Sequence, residues 1–501
     1  MNSTFPTKLV HTGIIHMLVR PSAYATRNVQ ADKSIGVASQ HCDGLRGPFV
    51  IYDKEDPYKY LYDVDDESTI ITLSDWYHLP SPSYGSTPVP DSTLINGLGR
   101  YEGGPNSTLA IVKVEYGKRY RFRLISMSCN PSYTFSIDGH MFTIIEADGE
   151  YTEPLLVDSL EVLAGQRYSF ILNATMPASH YWIRANPSVG TTGFRNGLNS
   201  AILRYVGAPG AGVPPELSIN ATSLKPMMEM DLHPLYNPRP PGEPSIDGAD
   251  VDLTLTLGYD NKTEKFTVNG QSMAAPSVPV LLQILNGNTP PIDEVAAIYT
   301  LPANKTIQIT FEADNVPGGP HPWHLHGHTF SVIRGVNASE YNFENPVRRD
   351  TVSTGGVGDR VTIRWRTDSS GPWLFHCHID RHTDTGMGVI FIEDTEGIAQ
   401  KNSVSNEWKN LCPPYEQLKD EDVGGVPTTT FTPTSSVAST TSSTASSSSS
   451  ALVSASVSLS LDPLGLDDGI GLDLNANIDL AGIGLKRSRR RRRHHHGWNT
   501  F

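Results

Sequence analysis

A short stretch in the last third of the chain concentrates side chains that bind transition metals. His376, Cys377, His378, His382 and Met387 place three imidazoles, one thiol and one thioether within twelve residues. Two imidazoles and a thiolate in one plane, with a weak axial thioether, are the ligands of a blue copper site. The order Cys377, His382, Met387 predicts such a site, completed by one histidine from elsewhere in the chain.

The residues around these donors predict a strand that runs into a loop. The apolar segment PWLF precedes His376, and the apolar segment VIF follows soon after Met387. Because side chains alternate between the faces of a strand, His376 and His378 should point away from Cys377. The thiolate can then bind one copper ion while its two neighbours bind other coppers behind it, an arrangement suited to passing electrons.

A second motif, HPWHLHGH, holds His321, His324 and His326, which can supply the missing imidazole to Cys377 and two more to a second site. Together the two motifs resemble the C-terminal copper signatures of multicopper oxidases. The resemblance runs from about Gln40 to Tyr415. Four further segments resemble fungal laccases: DGLRGPFVIYD, SIDGHMFTIIEADG, YWIRANP and NPVRRDTVSTG.

The resemblance implies a role for each histidine of the two motifs. The type 1 (blue) copper would be bound by His321, Cys377 and His382, with Met387 as the axial ligand. A trinuclear cluster would be bound by the others, namely His324 at the type 2 copper and His326, His376 and His378 at the type 3 pair. His328 is left as a non-ligand.

The activity implied is that of a laccase-type p-diphenol:dioxygen oxidoreductase. It would couple one-electron oxidation of phenolic or other small aromatic reductants to the four-electron reduction of O2 to water. Electrons would pass from the exposed edge of His382 to Cys377, and His376 and His378 would hand them to the cluster. Copper is therefore the expected cofactor.

Two residues depart from the laccase pattern near the type 1 site. Asn130 stands where laccases often carry an acidic residue, directly after the second disulfide cysteine. An amide is not a base, but it can hydrogen-bond a phenol, so we expect substrate binding with a flatter dependence on substrate ionisation. Met387 stands where many fungal laccases have Leu or Phe, and an axial thioether should lower the copper potential.

The N-terminal part of the chain differs more strongly from the laccase pattern. Laccases carry a histidine pair ending six residues before the cysteine that matches Cys42, where this sequence has Ser34 and Gly36, and they carry an HWHG-like pair upstream that this sequence lacks. His41, beside Cys42, does not have the required spacing. Four of the eight cluster ligands of the family are thus absent, and we expect residues 34–57 to be a remnant of the first cupredoxin domain.

Length and composition agree with a β-rich protein of several domains. The 501 residues, with 43 glycines and 37 prolines, favour turn-rich β architecture over helices. We expect an all-β fold of tandem cupredoxin-like Greek-key β-sandwiches, with a truncated first domain and a disordered C-terminal tail. The expected divisions are 1–33 unassigned or mis-read, 34–57 the remnant, 58–225 the second cupredoxin domain, 226–415 the third with the type 1 site, and 416–501 a Ser/Thr-rich, then basic, tail.

Alternating segments predict individual strands. The segments are Thr69–Trp76, Arg119–Ser126, Tyr168–Leu172, Val251–Leu257, Thr306–Phe311 and Val361–Trp365.

Cysteines and sequons point to the secretory route. Of four cysteines, the resemblance pairs Cys42 with Cys129 and leaves Cys412 unpaired, whereas reduced cytosolic thiols are the alternative. Six NxS/T sequons favour an extracellular glycoprotein, although residues 1–33 make a poor signal peptide. The sequons begin at Asn106, Asn173, Asn220, Asn261, Asn304 and Asn337.

Charge and hydropathy exclude other classes of partner. A net charge of −14 argues against nucleic acid, and the lack of a long apolar run argues against a transmembrane helix. Two further functions stay open: a non-catalytic blue copper protein that transfers electrons or holds copper, and a ferroxidase.

Overall fold

The computed structural model describes residues 12–15, 40–83, 88–210, 223–274, 280–285, 297–314, 316–401 and 406. Strands dominate these residues. A two-stranded antiparallel sheet comes first, formed by β1 (Thr12–Ile15) and β2 (Gly47–Val50). Strand β1 lies within residues 1–33, whose assignment stays a prediction.

The next strands form the N-terminal sandwich, with one sheet of five strands and one of six. They are β3 (Ile70–Trp76), β4 (Ser92–Ile95), β5 (Ile111–Val114), β6 (Arg119–Ser126), β7 (Tyr133–Ile137), β8 (Phe142–Ala147), β9 (Glu150–Val157), β10 (Ser159–Val162), β11 (Arg167–Asn173), β12 (His180–Pro187) and β13 (Ser200–Tyr205). The strand orders are β10-β7-β12-β13-β5 and β4-β3-β6-β11-β8-β9. Phe122, Phe135 and Phe170 are fully buried between the sheets.

The remaining strands form the C-terminal sandwich. They are β14 (Val251–Asp260), β15 (Lys265–Val268), β16 (Ile298–Leu301), β17 (Thr306–Glu312), β18 (Pro322–Leu325), β19 (Phe330–Arg334), β20 (Arg348–Arg349), β21 (Thr351–Ser353), β22 (Thr362–Arg366), β23 (Gly371–Cys377) and β24 (Gly388–Glu393). Three short helices accompany them, α1 (Val280–Leu285), α2 (Asp380–Asp384) and α3 (Thr395–Lys401). The sheet orders are β15-β14-β17-β22-β19-β20 and β16-β24-β23-β18-β21, which makes β18 and β23 neighbours.

The predicted fold class is confirmed, and the six predicted strands are present. The strand at Arg119–Ser126 has the predicted bounds, and the other five differ at one or both ends by one to three residues; for example, the strand expected at Val251–Leu257 continues to Asp260. The predicted limits of the domains stay a prediction, although the strands of the two sandwiches fall inside 58–225 and 226–415. Cys412 and the tail at 416–501 lie outside the described residues.

The predicted disulfide is confirmed, since Cys42 and Cys129 are bonded. The bond fastens the segment before β2 to the N-terminal sandwich. None of the helices among the described residues is long and apolar enough to span a membrane.

His140 makes the stability of the N-terminal sandwich depend on pH. The imidazole is buried, its Nδ1 lies 2.8 Å from the Asp138 carbonyl oxygen, and its Nε2 lies 2.8 Å from the Tyr205 hydroxyl. These partners suit a neutral ring that donates from Nδ1 and accepts at Nε2. Burial lowers the pKa of His140 below its ordinary 6.5, so protonation favours the unfolded chain.

We therefore predict that His140→Gln reduces the loss of stability on acidification. With a lowered folded pKa, the histidine costs stability as pH falls below about 6.5, by at most about 1.4 kcal/mol per pH unit for one group. The measurement is urea unfolding of both proteins at several pH values between 7.5 and 5. Other groups titrate in both proteins, so the difference between the two slopes is the quantity that decides, and equal slopes would contradict the prediction.

Candidate metal centre

Three donors meet in the dry interior of the C-terminal sandwich. The Sγ atom of Cys377 lies 3.8 Å from Nδ1 of His321 and 3.6 Å from Nδ1 of His382, and the two Nδ1 atoms are 3.1 Å apart. All three side chains are at most 1% exposed. An ion with bonds of about 2.0 Å to nitrogen and about 2.3 Å to sulfur, in trigonal geometry, separates nitrogen from sulfur by about 3.7 Å and the nitrogens by about 3.5 Å. The spacing therefore fits a trigonal His₂Cys copper site.

Sheet pairing and a short helix bring these donors together. Cys377 is the last residue of β23, where it lies opposite Trp323 of β18, and His321 directly precedes β18. The segment that returns His382 to the thiol was predicted as a loop, but it is helix α2. A helical turn shortens the path between residues five apart, so it can place His382 back against Cys377.

The predicted axial residue is held beside this group by its backbone. The amide of Cys377 donates to the carbonyl oxygen of Met387 at 3.1 Å. The amide of Met387 donates to the carbonyl oxygen of His382 at 2.8 Å. Met387 is fully buried. The preceding Gly386 has φ of +111°, and a Cβ there would collide with Ser272, so the tight return of the chain requires glycine.

Burial sets the protonation of the donors. It lowers the pKa of His321 to about 4 and lowers the pKa of His382 well below its ordinary range. It raises the pKa of the Cys377 thiol. Both imidazoles are thus neutral and ready to bind metal at neutral pH, whereas the thiol needs a metal ion to become a thiolate.

Four other imidazoles gather on the opposite side of β23. His324, His326, His376 and His378 have ring centroids 4.9 to 5.9 Å apart in five contacting pairs. The Nε2 atoms of His326 and His376 are 3.2 Å apart. The predicted alternation is therefore observed, with His376 and His378 on one side and Cys377 on the other. His326 is exposed, so this imidazole cluster is open to solvent on one side.

Two predicted features of the substrate region differ from expectation. The ring of His382 is not exposed, because Phe266 of β15 packs on it with ring centroids 4.4 Å apart. The Asn130 side chain is 9% exposed, and its Nδ2 already donates to the Pro88 carbonyl oxygen at 2.6 Å. The Oδ1 atom of Asn130 can then accept the O–H of a phenol, and the second hydrogen of Nδ2 can donate to the phenol oxygen.

His328 contacts the backbone of the imidazole cluster, since its Nδ1 lies 3.3 Å from the carbonyl oxygen of His326. Its Nε2 is 3.0 Å from a carboxylate oxygen of Glu393. The role of His328 as a non-ligand stays a prediction.

The structure adds residues that sequence reasoning missed. Nδ1 of His41 lies 2.5 Å from Oδ2 of Asp380, and the amide of Asp380 donates to the Cys129 carbonyl oxygen at 3.2 Å. His41 thus connects the disulfide segment to helix α2, which carries His382. Because 339 positions separate His41 from Asp380, no local pattern could predict the contact.

Comparisons with known proteins agree with this geometry. Residues 67–208 and 262–397 each match a family model described as multicopper oxidase. The chain is 51% identical over 393 residues to Laccase-2 of Pleurotus ostreatus, covering 78% of this chain and 72% of that protein.

Solved structures show the same fold. The laccase from Botrytis aclada has a TM-score of 0.62 at 26% identity, covering 77% of this chain and 75% of that one. Fet3p, a multicopper oxidase that functions in iron import, has a TM-score of 0.64 at 24% identity and 75% coverage of each chain. The matched segments and the laccase relative, which covers most of both sequences, place this chain in the multicopper oxidase family.

Proposed function

We propose that the chain is a laccase-type copper oxidoreductase that oxidises phenolic or other small aromatic reductants. The observation that carries the proposal is the buried triangle of His321, Cys377 and His382. These residues, with Met387 as the axial ligand, would hold a type 1 copper. When bound there, copper supplies one-electron redox chemistry at a fixed position in the interior of the C-terminal sandwich.

The protein groups around the triangle have separate tasks. Phe266, itself fully buried, covers His382 and keeps water from the donors, so a reductant would touch neither ring unless the chain around them moves. Asn130 would accept the O–H of a phenol without removing its proton. The peptide bonds on both sides of Cys377 join it covalently to His376 and His378, which would bind copper on the opposite side of the strand.

We infer that the imidazole cluster is half of a trinuclear site. His324, His326, His376 and His378 supply four of the eight ligands that the family uses. The exposure of His326 supports this inference, because a complete cluster would exclude water from its imidazoles. Reduction of O2 to water needs four electrons, so we propose that this chain has little oxidase turnover.

A non-catalytic blue copper protein is the second candidate function. It is favoured by the contrast between the buried triangle of His321, Cys377 and His382 and an imidazole cluster that is open to solvent at His326. Such a protein would transfer single electrons or hold copper. Likeness to Fet3p concerns the fold, so the ferroxidase alternative gains no support from it.

We further propose that the protein acts outside the cell. The five sequon asparagines among the described residues are exposed: Asn106, Asn173, Asn261, Asn304 and Asn337. The Cys42–Cys129 bond also suits an oxidising compartment.

The first prediction from the proposed function concerns the thiolate. Copper-loaded protein should show an intense blue thiolate-to-copper band, and Cys377→Ser should abolish it, because serine gives no thiolate donor. The measurement is the visible spectrum, with circular dichroism to show that both proteins are folded. Cys412→Ser is the matched control and should keep the band; a folded, copper-loaded and colourless native protein would exclude the type 1 site.

The second prediction concerns the axial ligand. Met387→Leu should raise the potential of the type 1 copper, because loss of the thioether removes a donor that favours the cupric state. Redox titration of the blue band measures the potential. Met273→Leu, in the neighbouring segment, is the control and should leave it unchanged. A potential that stays the same or falls in Met387→Leu would mean that Met387 only packs beside the site.

The third prediction concerns turnover. Loss of one supporting group costs about 10–100-fold in metal affinity or activity, so a cluster with half its ligands should turn over at least about a hundredfold more slowly than a complete one. The test compares O2 uptake with an easily oxidised phenol between this chain and the same chain carrying a laccase-like N-terminal domain. Comparable sustained uptake by both would refute the prediction, and would point to ligands from another subunit.

A further inference from the structure

One turn of the N-terminal sandwich reaches into the imidazole cluster of the C-terminal sandwich. The turn joins β10 to β11 and contains Gly165 and Gln166, and Arg167 follows as the first residue of β11; all three are buried. Each of the three residues contacts the C-terminal sandwich next to a histidine of the cluster. The contacts differ in kind, and together they reach two of the four imidazoles.

Gly165 lies directly against the ring of His378. Its φ is +82°, and a Cβ at this position would lie 2.7 Å from Cγ and 2.8 Å from Nε2 of His378. Only glycine combines this backbone conformation with such a close approach. The backbone of the turn at Gly165 therefore limits, by steric contact, how far the His378 ring can move towards the N-terminal sandwich.

Arg167 holds the residue that orients His324. Its two terminal nitrogens donate to the two carboxylate oxygens of Asp350, each at 2.7 Å. Nδ1 of His324 lies 3.0 Å from the Asp350 carbonyl oxygen and 3.1 Å from the Thr351 hydroxyl, and that hydroxyl donates to the Asp350 carboxylate at 2.8 Å. A paired guanidinium and carboxylate fix orientation as well as distance.

Gln166 completes the attachment. Its Nε2 donates to the Thr351 carbonyl oxygen at 3.0 Å, while its Oε1 accepts from the Leu163 amide at 3.1 Å. Since Thr351 pairs with His324 across β21 and β18, this bond sets the position of the strand beside the histidine. Backbone and side chain of the 350–351 pair are thus both held from the other sandwich.

We propose that Gly165, Gln166 and Arg167 are positioning residues that set His324 and His378 for metal binding from across the interface between the sandwiches. Holding Nδ1 of His324 directs its Nε2 towards the other imidazoles, and the backbone at Gly165 keeps the His378 ring beside them. The proposal rests on the proposed copper chemistry of the cluster. It concerns geometry at the imidazole cluster and does not involve the Cys377 triangle.

The test uses the full chain and Cu²⁺, with two variants and two matched controls. Gly165→Ala should displace His378, and Arg167→Lys should lose the paired contact to Asp350. Gly117→Ala has a similar φ of +86° but no atom within 4 Å of the added Cβ. Arg184→Lys breaks a similar pair, in which Arg184 donates to both oxygens of Asp138 at 2.7 Å, within the N-terminal sandwich.

Copper bound by the imidazoles is followed by electron paramagnetic resonance during titration, and the blue band reports the Cys377 triangle in the same samples. We expect each test variant to weaken Cu²⁺ binding at the imidazoles by about tenfold or more, as for other groups that orient metal-binding histidines. The control variants should change the affinity of the imidazoles for Cu²⁺ by less than about twofold. The blue band should be the same in all five proteins.

A second measurement separates positioning from general damage. In a His378→Ala background the ring that Gly165 contacts is gone, so Gly165→Ala should weaken binding no further, whereas a structural effect would persist. Melting temperatures identify a variant that fails to fold, in which case Arg167→Lys decides the matter alone. Equal weakening in test and control variants, or no Cu²⁺ binding by the imidazoles of the native protein, would overturn the proposal. Absence of the blue band alone would instead contradict the proposed function.

Discussion

Pairing between β18 and β23 decides where each metal-binding side chain of the C-terminal sandwich can lie. In this antiparallel pair Trp323 lies opposite Cys377, and His324 lies opposite His376. Because neighbouring residues of a strand face opposite sides, this register sends Cys377 into the dry interior and His376 to the other side. A slip of one residue would exchange the two sides and remove the thiol from His321.

The two sides give the donors different surroundings. Around Cys377 the interior excludes water, and burial is the main cause that lowers the pKa of the two imidazoles and raises the pKa of the thiol. Metal binding must therefore bring the charge that makes a thiolate favourable there. The imidazole cluster is open at His326 and gets its shape from outside its own sheet, through Arg167 of the N-terminal sandwich. Strand β23 thus joins the Cys377 triangle, whose donors all belong to the C-terminal sandwich, to an imidazole cluster that also has contacts from the N-terminal sandwich.

Sequence patterns predicted the parts that are local. Spacing gave the order of Cys377, His382 and Met387, and alternation gave the opposite sides of His376 and Cys377, because both follow from chain geometry over a few residues. What escaped prediction depends on the assembled fold. The ring of Phe266 on His382 joins β15 to α2, and the contact of His41 with Asp380 joins segments far apart in the chain.

The buried pair of Arg167 and Asp350 at the interface between the sandwiches is better explained by its effect on the orientation of side chains than by a gain in stability. An ion pair such as Arg167–Asp350 loses hydration on burial, and well-packed apolar residues of similar size often stabilise a protein as much or more. Apolar contacts, however, leave a ring free to slide and rotate by small amounts, whereas two parallel hydrogen bonds fix a carboxylate in angle and distance. Asp350 in turn lies beside Nδ1 of His324, so its orientation is passed to the imidazole. A metal ion tolerates only small errors in the direction of its donors. The directional contact between Arg167 and Asp350 can therefore be favoured even though burying the two charges removes their hydration.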